Sequence, residues 1–343
     1  MIRRSRYTSF AAALLIGVSM QSMAAEWGFQ PLPFKAPEPA DNPSTAAKVM
    51  LGKQLFFDTR LSIDNTISCN FCHDVTGGGN GTDSRSTSVG VDGQIGGRSA
   101  PTVWNAAFLS AQFWDGRAPS LEEQAKGPIL NPIEMGISHE ASAVDRIASI
   151  PGYQTQFAAI FGGEEPVTYN NIAKAIAAYE RTLITPNSLF DQYLRGDKTA
   201  MNEKALAGMN EFENLGCIRC HNGPAFAGPI TTKGEVFYQY FPANRSIYDE
   251  LLGLQEDDGV RTGAGDKTPG RWRVPTLRNI ALTGPYFHNG SVKTLKKAVR
   301  VMAKVQLNRD LTDEQEDNLV AFLETLTGDF TVQRRPKLPD DVL

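Results

Sequence analysis

Cysteine and histidine are scarce in this chain, four of each in 343 residues. All four cysteines fall in two short strings, Cys69-Asn70-Phe71-Cys72-His73 and Cys217-Ile218-Arg219-Cys220-His221, which leaves none for a disulfide framework elsewhere. An excess of positive charge is also missing: 34 Lys and Arg stand against 38 Asp and Glu, a formal net charge of −4. A phosphate backbone is therefore an unfavourable partner, which argues against nucleic-acid binding. Long apolar runs are absent too, apart from Phe10 to about Met20, and that run is too short to cross a bilayer as a permanent helix.

What is present begins with the two Cys-x-x-Cys-His strings. Two thiols three positions apart can each bond one vinyl group of the same porphyrin, and the next residue then lies under the iron as an imidazole ligand. Cys69, Cys72, Cys217 and Cys220 therefore read as attachment points for two covalent haem c groups, with His73 and His221 as proximal ligands. One such string alone also fits a thiol redox pair, a disulfide or half a zinc site. The zinc reading needs halves 148 positions apart (69 to 217) to meet, and it leaves both histidines unexplained.

The N-terminus agrees with covalent haem. Arg3, Arg4 and Arg6 precede the apolar run, and Ser22-Met23-Ala24-Ala25 follows it before Glu26. Residues 1–25 thus read as a cleaved export signal leading to a Gram-negative periplasm, where c-type haem is attached. Losing three arginines and no acid takes the formal charge from −4 to −7. A small redox protein docking through a local charged patch fits that balance better than a nucleic acid does.

The remaining length fits two domains of ordinary size, each with one haem motif. With 31 glycines and 20 prolines, long turns between helices are expected rather than a continuous sheet. Helical spacing of Ile172, Ala175, Ile176 and Tyr179 predicts a helix over 171–182, and another over 203–215 leads into the second motif. A last helix begins at Thr312, where Thr312 and Gln315 have capping-box spacing ahead of an apolar stripe of Leu319, Phe322, Leu323 and Leu326. The fold class is mainly α: two cytochrome c-like haem domains in tandem with long irregular loops. The domains fall at 40–190 and 191–330, and residues 331–343 form an extended surface tail.

An internal repeat makes the two halves comparable. The stretch 101–121 lies on 275–295 with a constant offset of 174, matching Pro101/Pro275, Thr102/Thr276, Asn105/Asn279, Ala107/Ala281, Phe113/Phe287, Gly116/Gly290 and Leu121/Leu295. From the first cysteine to this element is 32 residues in the first half and 58 in the second, so an insertion is expected between Gly223 and Gly270 as a surface loop. Beyond the repeat, Met302 offers a thioether for the second iron, whereas the equivalent position in the first half is Pro128, which cannot ligate. Histidine with methionine gives a capped, high-potential electron-transfer haem, and a histidine-only iron can bind a small molecule. A lone methionine is otherwise a core residue. Gln124 and Glu134 lie in the segment that replaces the methionine arm. A carboxylate over an open iron can carry a proton from one peroxide oxygen to the other, although a single glutamate beside a glycine also reads as a solvated loop charge. Trp114 alone is a core aromatic, but its place in the repeat invites a role between the haems.

Together these residues resemble the bacterial dihaem cytochrome c peroxidases, related to the MauG superfamily. The strings that carry the resemblance include LGKQLFFD at 51–58, APTVWN at 100–105, QFWDGRA at 112–118, EEQAKGP at 122–128, RTLITPNSLFDQYL at 181–194 and LRNIALTGPYFHNG at 277–290, and coverage runs from about 40 to 328. The resemblance implies an N-terminal low-potential haem that reduces hydrogen peroxide. It also implies a C-terminal high-potential haem that accepts electrons from a small c-type cytochrome or blue copper protein. It casts Glu134 as the peroxidatic acid/base beside Gln124, Trp114 as the aromatic between haems, and Met302 as the distal ligand of the second iron. A calcium ion at the domain interface would be held partly by the main-chain carbonyls of Thr283 and Pro285, with Ser99 at the third position, and a homodimer is implied. One departure stands out: many members have a histidine that caps the peroxidatic iron, and here the matching position is Val91, in a loop without histidine. A first haem left open when fully oxidised is the expectation. Two other readings are a MauG-like oxidase of a protein substrate, which typically has tyrosine where Met302 stands, and a dihaem electron carrier with both irons capped.

Overall fold

The structure is a computed structural model that describes residues 28–229, 235–262, 266–267 and 270–340. The expected export signal lies outside the described residues.

Two helix crossings organise the molecule, one in each half. In the first, α1 (Ala46–Phe57) packs on α6 (Tyr169–Glu180). Thr45 caps α1 by accepting from the Lys48 amide, and Thr168 caps α6 by accepting from Asn171, which starts that helix two residues earlier than its apolar spacing predicts. The close approach depends on Gly52: a Cβ there would sit 1.8 Å from the carbonyl oxygen of Ala175. Leu51, Leu55 and Phe56 meet Ile172, Ile176 and Tyr179 in a fully buried seam, with α3 (Leu121–Leu130), α4 (Glu140–Ala148) and α5 (Pro151–Phe161) closing around it.

The second crossing repeats the device. α8 (Glu203–Asn214), capped by Asn202, packs on α11 (Asp313–Glu324), whose start carries the expected reciprocal capping box of Thr312 and Gln315. Here a Cβ on Gly208 would lie 1.9 Å from the carbonyl oxygen of Asn318. Phe190, Phe212, Phe226 and Phe322 fill the seam, with Phe212 and Phe322 ring centres 5.3 Å apart. The short α2 (Cys69–Cys72) and the turn Cys217–Arg219 bear the two haem motifs, and α7 (Leu189–Leu194) joins the halves.

The repeat is structural as well as sequential. Asn105 and Asn279 are both left-handed (φ 65° and 61°), as are Phe113 and Phe287 (66° and 71°) and Gly116 and Gly290 (65° and 59°). Backbone bridges close at Gln112–Ala118 and at Tyr286–Val292, and the caps Ser120 and Thr294 then start α3 and α10 (Leu295–Leu307) at equivalent positions.

Two expectations need correction. The 223–270 insertion is more than a surface loop: it holds α9 (Ile247–Leu252), β1 (Tyr238–Tyr240), which pairs antiparallel with β4 (Arg271–Arg273), and the minor pair β2 (Arg261–Thr262) and β3 (Asp266–Lys267). Its Leu254 is fully buried against Tyr286, Val292 and Val301, so apolar burial, not turn composition, decides its structure. The C-terminal tail is extended but docked on the first half. Gln333 accepts from the Tyr179 hydroxyl, the Pro339 carbonyl accepts from Arg60, and Asp340 accepts from the Gly152 amide.

Candidate active site

Each haem motif opens into its own cavity. The first, about 510 Å³, is lined by Cys69, Cys72, His73, Gln124, Trp114 and Glu134. The second, about 180 Å³, is lined by Cys217, His221, Trp114 and Met302 among apolar side chains. Met302, on α10, helps to fill the second cavity, whereas Pro128 at the matching place on α3 leaves the first wider.

The donor set fits a porphyrin with a proximal imidazole. The Nδ1 atoms of His73 and His221 lie 3.4 and 3.1 Å from the carbonyl oxygens of Gly81 and Phe226, which leaves Nε2 of each free for a metal. Burial holds both imidazoles below their ordinary pKa, so they are neutral and able to ligate. All four cysteines are unbridged. Burial pushes the thiols up, Cys72 and Cys217 to about 11, which makes them poor thiolates and argues against thiol-disulfide exchange chemistry.

Glu134 borders both the first cavity and a separate polar vestibule of about 350 Å³ open to solvent, whose other lining residues include Phe113, Arg117, Glu123 and Asn131. Its Oε1 accepts from the Asn131 amide at 3.0 Å. Burial raises its pKa, and the Arg117 charge and the Asn131 hydrogen bond pull it back. Arg117 is fixed by its ion pair with Asp115 at 2.8 Å and by stacking, 3.5 Å from the centre of the Phe113 ring. Arg117 falls within the string at 112–118 that carries the family resemblance, but its place beside Glu134 emerges only from the vestibule and cavity walls.

Trp114 lines both cavities, and its indole N–H donates to the Ser99 carbonyl at 2.8 Å. Ser99, Thr283 and Pro285 all line the second cavity. The Ser99 hydroxyl donates to the Arg85 carbonyl, and no cluster of three or more His, Cys, Asp or Glu able to hold a metal ion occurs among the described residues. Val91 lies in the core at 2% exposure, its amide donating to the Glu134 carbonyl at 3.0 Å, and it is not part of the first cavity's wall. Neither remaining histidine takes its place: His139 is exposed at the start of α4, and His288 is buried, stacked on Trp272 with ring centres 4.2 Å apart.

Crossed helices over two Cys-x-x-Cys-His motifs, each facing its own cavity, define a tandem c-type haem protein. The family model for di-haem cytochrome c peroxidases matches residues 46–199. The chain is 44% identical to the cytochrome c551 peroxidase of Nitrosomonas europaea, covering 99% of this chain and 96% of that one. It is 40% identical to the cytochrome c551 peroxidase of Pseudomonas aeruginosa, over 96% and 93%. Among solved structures, a MauG-like protein associated with microbial copper homeostasis superposes with a TM-score of 0.74 at 30% identity, over 87% of this chain and 95% of that one. The chain belongs to the di-haem cytochrome c peroxidase family, as an enzyme of the cytochrome-c peroxidase type that takes two haem c groups and acts on peroxide.

Proposed function

We propose that the chain reduces hydrogen peroxide to water at the first haem with electrons that enter at the second. The observation that carries this reading is the inequality of the two cavities: Met302 stands in one, and Glu134 and Gln124 stand in the other. A haem held by Cys69, Cys72 and His73 would supply the redox-active iron for the overall reaction in which H2O2, two electrons and two protons become two waters. Glu134, as carboxylate, accepts the proton of one peroxide oxygen and returns it to the other, which then departs as water. On this reading the Gln124 amide, which lines the same cavity as Glu134, orients peroxide, and peroxide reaches Glu134 from solvent through the vestibule. Trp114, the aromatic side chain shared by both cavity walls, is the proposed bridge between the two sites.

The domains divide at 40–190 and 191–330 on this reading, with a small c-type cytochrome or blue copper protein as donor, a homodimer as the working form and the periplasm as its place. No helix among the described residues is long and apolar enough to cross a membrane. Ser99, Thr283 and Pro285 are the proposed calcium contacts. Val91, turned into the core, supports a first site that is open without prior reduction. Stopped-flow mixing of fully oxidised protein with hydrogen peroxide, then with a reduced small cytochrome, tests the scheme. Immediate reaction followed by cytochrome oxidation is expected. An obligatory reductive step overturns the open site, and absence of peroxide turnover favours a plain electron carrier.

A further inference from the structure

The two helix crossings can be placed in register by their glycines. Gly52 meets the carbonyl of Ala175 and Gly208 meets that of Asn318, so α6 and α11 correspond with an offset of 143. At that offset Ile176 matches Leu319, and both line their cavities. One turn further on, Glu180 matches Leu323, and again both line their cavities. The same structural position thus presents an apolar side chain to the second haem and a carboxyl group to the first.

Glu180 is 5% exposed, and its Oε2 has no hydrogen-bond partner among the described residues. The adjacent Arg181 forms no ion pair with it: its Nη2 pairs with Glu122 on α3 at 2.8 Å, and its Nη1 is buried without a partner among the described residues. The Arg181 charge lowers the Glu180 pKa against the larger effect of burial, and Glu122 raises it. Other groups around it are Tyr179, with Lys53 of α1 over its ring, and Cys69, which becomes an uncharged thioether once haem is attached. Arg98, Asp115, Arg117, Glu134 and Asp257 line other parts of the same cavity. A buried carboxyl without a partner is costly as an anion and inexpensive as an acid.

We infer that Glu180 sets the reduction potential of the first haem, taking up a proton when that haem gains an electron and releasing it when the electron leaves. The step balances: one electron from the reductant converts iron(III) to iron(II), and one proton moves from solvent to a Glu180 oxygen. Burial pushes the Glu180 carboxyl up to about 8, which places the exchange near neutral pH. The sign follows from charge. An ionised carboxylate favours iron(III), so the potential falls as pH rises through the carboxyl's pKa, bounded by about 59 mV per tenfold change in proton activity for one electron. The second haem, facing Leu323, lacks this term. Glu180 is a positioning residue: it lines the wall of the first cavity and acts through the haem's potential, not on the peroxide. The inference rests on the two-haem reading but not on the direction of electron entry.

Redox titration of the full holoenzyme, followed by visible absorbance between pH 6 and 9.5, tests it. The first haem's midpoint is expected to fall with rising pH in the parent, and to lose that slope and sit higher at alkaline pH in Glu180→Gln. Glu180→Leu repeats the result with the side chain the second half uses, and Leu323→Glu transfers a slope to the second haem. Glu134→Gln is expected to keep the slope, and its disappearance there overturns the inference by making Glu134 the titrating group. An unchanged slope in Glu180→Gln, or a flat parent, overturns it as well. Haem counting separates the levels: fewer than two haems per chain overturns the two-haem reading, whereas two haems with an unchanged slope overturn this inference alone.

Discussion

Glu134 carries the proposed proton transfer, and its surroundings pull its pKa in opposite directions. Burial favours the neutral acid, while the Arg117 guanidinium, between the vestibule and the cavity, favours the carboxylate. The carboxylate is the form that accepts a proton from peroxide, so kcat/KM rises with pH through the pKa of Glu134. Glu134→Gln keeps the side-chain shape and removes the base. A fall of about 10²- to 10⁴-fold in kcat/KM for hydrogen peroxide is expected, with both haem spectra retained. Arg117→Met removes the opposing charge and leaves burial in place. The rising limb of the pH profile should therefore move to higher pH, and a limb that stays put would remove Arg117 from the proton-transfer apparatus.

At the scale of elements, the helix crossings hold each cavity in shape, and each depends on a missing Cβ. In Gly52→Ala the new methyl meets the Ala175 carbonyl, and in Gly208→Ala that of Asn318; both contacts are with backbone, which yields less readily than a side-chain tip. Each substitution is expected to cost about 1–3 kcal/mol, read as a lower urea midpoint. Gly52→Ala should disturb the spectrum of the first haem and leave the second, with the reverse for Gly208→Ala. Three of the four crossing helices, α6, α8 and α11, were legible in advance, since Ile172, Ile176, Leu319 and Phe322 keep a helical period and Thr312 marks a start, whereas α1 was not. The haem attachment residues were legible because thioether chemistry fixes their spacing. The structure of the insertion was not, since Leu254 declares itself only when Tyr286 and Val301 are seen around it. Glu180 was hidden for a related reason. Local pattern places it at the end of an apolar helix, and only the matched position of Leu323 shows that it departs from a rule.

At the scale of the whole molecule, the repeat elements of both halves meet at one hydroxyl. Thr185 is fully buried, and its Oγ1 accepts from the side-chain amides of Asn105 at 2.8 Å and Asn279 at 2.9 Å. Those two asparagines are the left-handed residues that begin equivalent turns in the two copies of the repeat. Each is pinned again on its oxygen, Asn105 by the Thr185 amide and Asn279 by the Gly328 amide. Neither asparagine can therefore turn away to satisfy its N–H without breaking another buried bond. Thr185→Val conserves volume and deletes the shared acceptor. Each orphaned amide costs about 1–3 kcal/mol, far above the cost of the shape change itself. Thr185→Ser keeps the acceptor and loses only a methyl, so it should cost about 0.5–1.5 kcal/mol, like other single-methyl deletions. If Thr185 couples the halves, the absorbance of the two haems should change at one urea concentration in the parent and in Thr185→Ser, and at two separated concentrations in Thr185→Val. Coincident transitions in all three proteins would show that the coupling runs elsewhere, the nearest alternative being the pairs that Arg98 makes with Asp115 in the first half and Asp257 in the insertion.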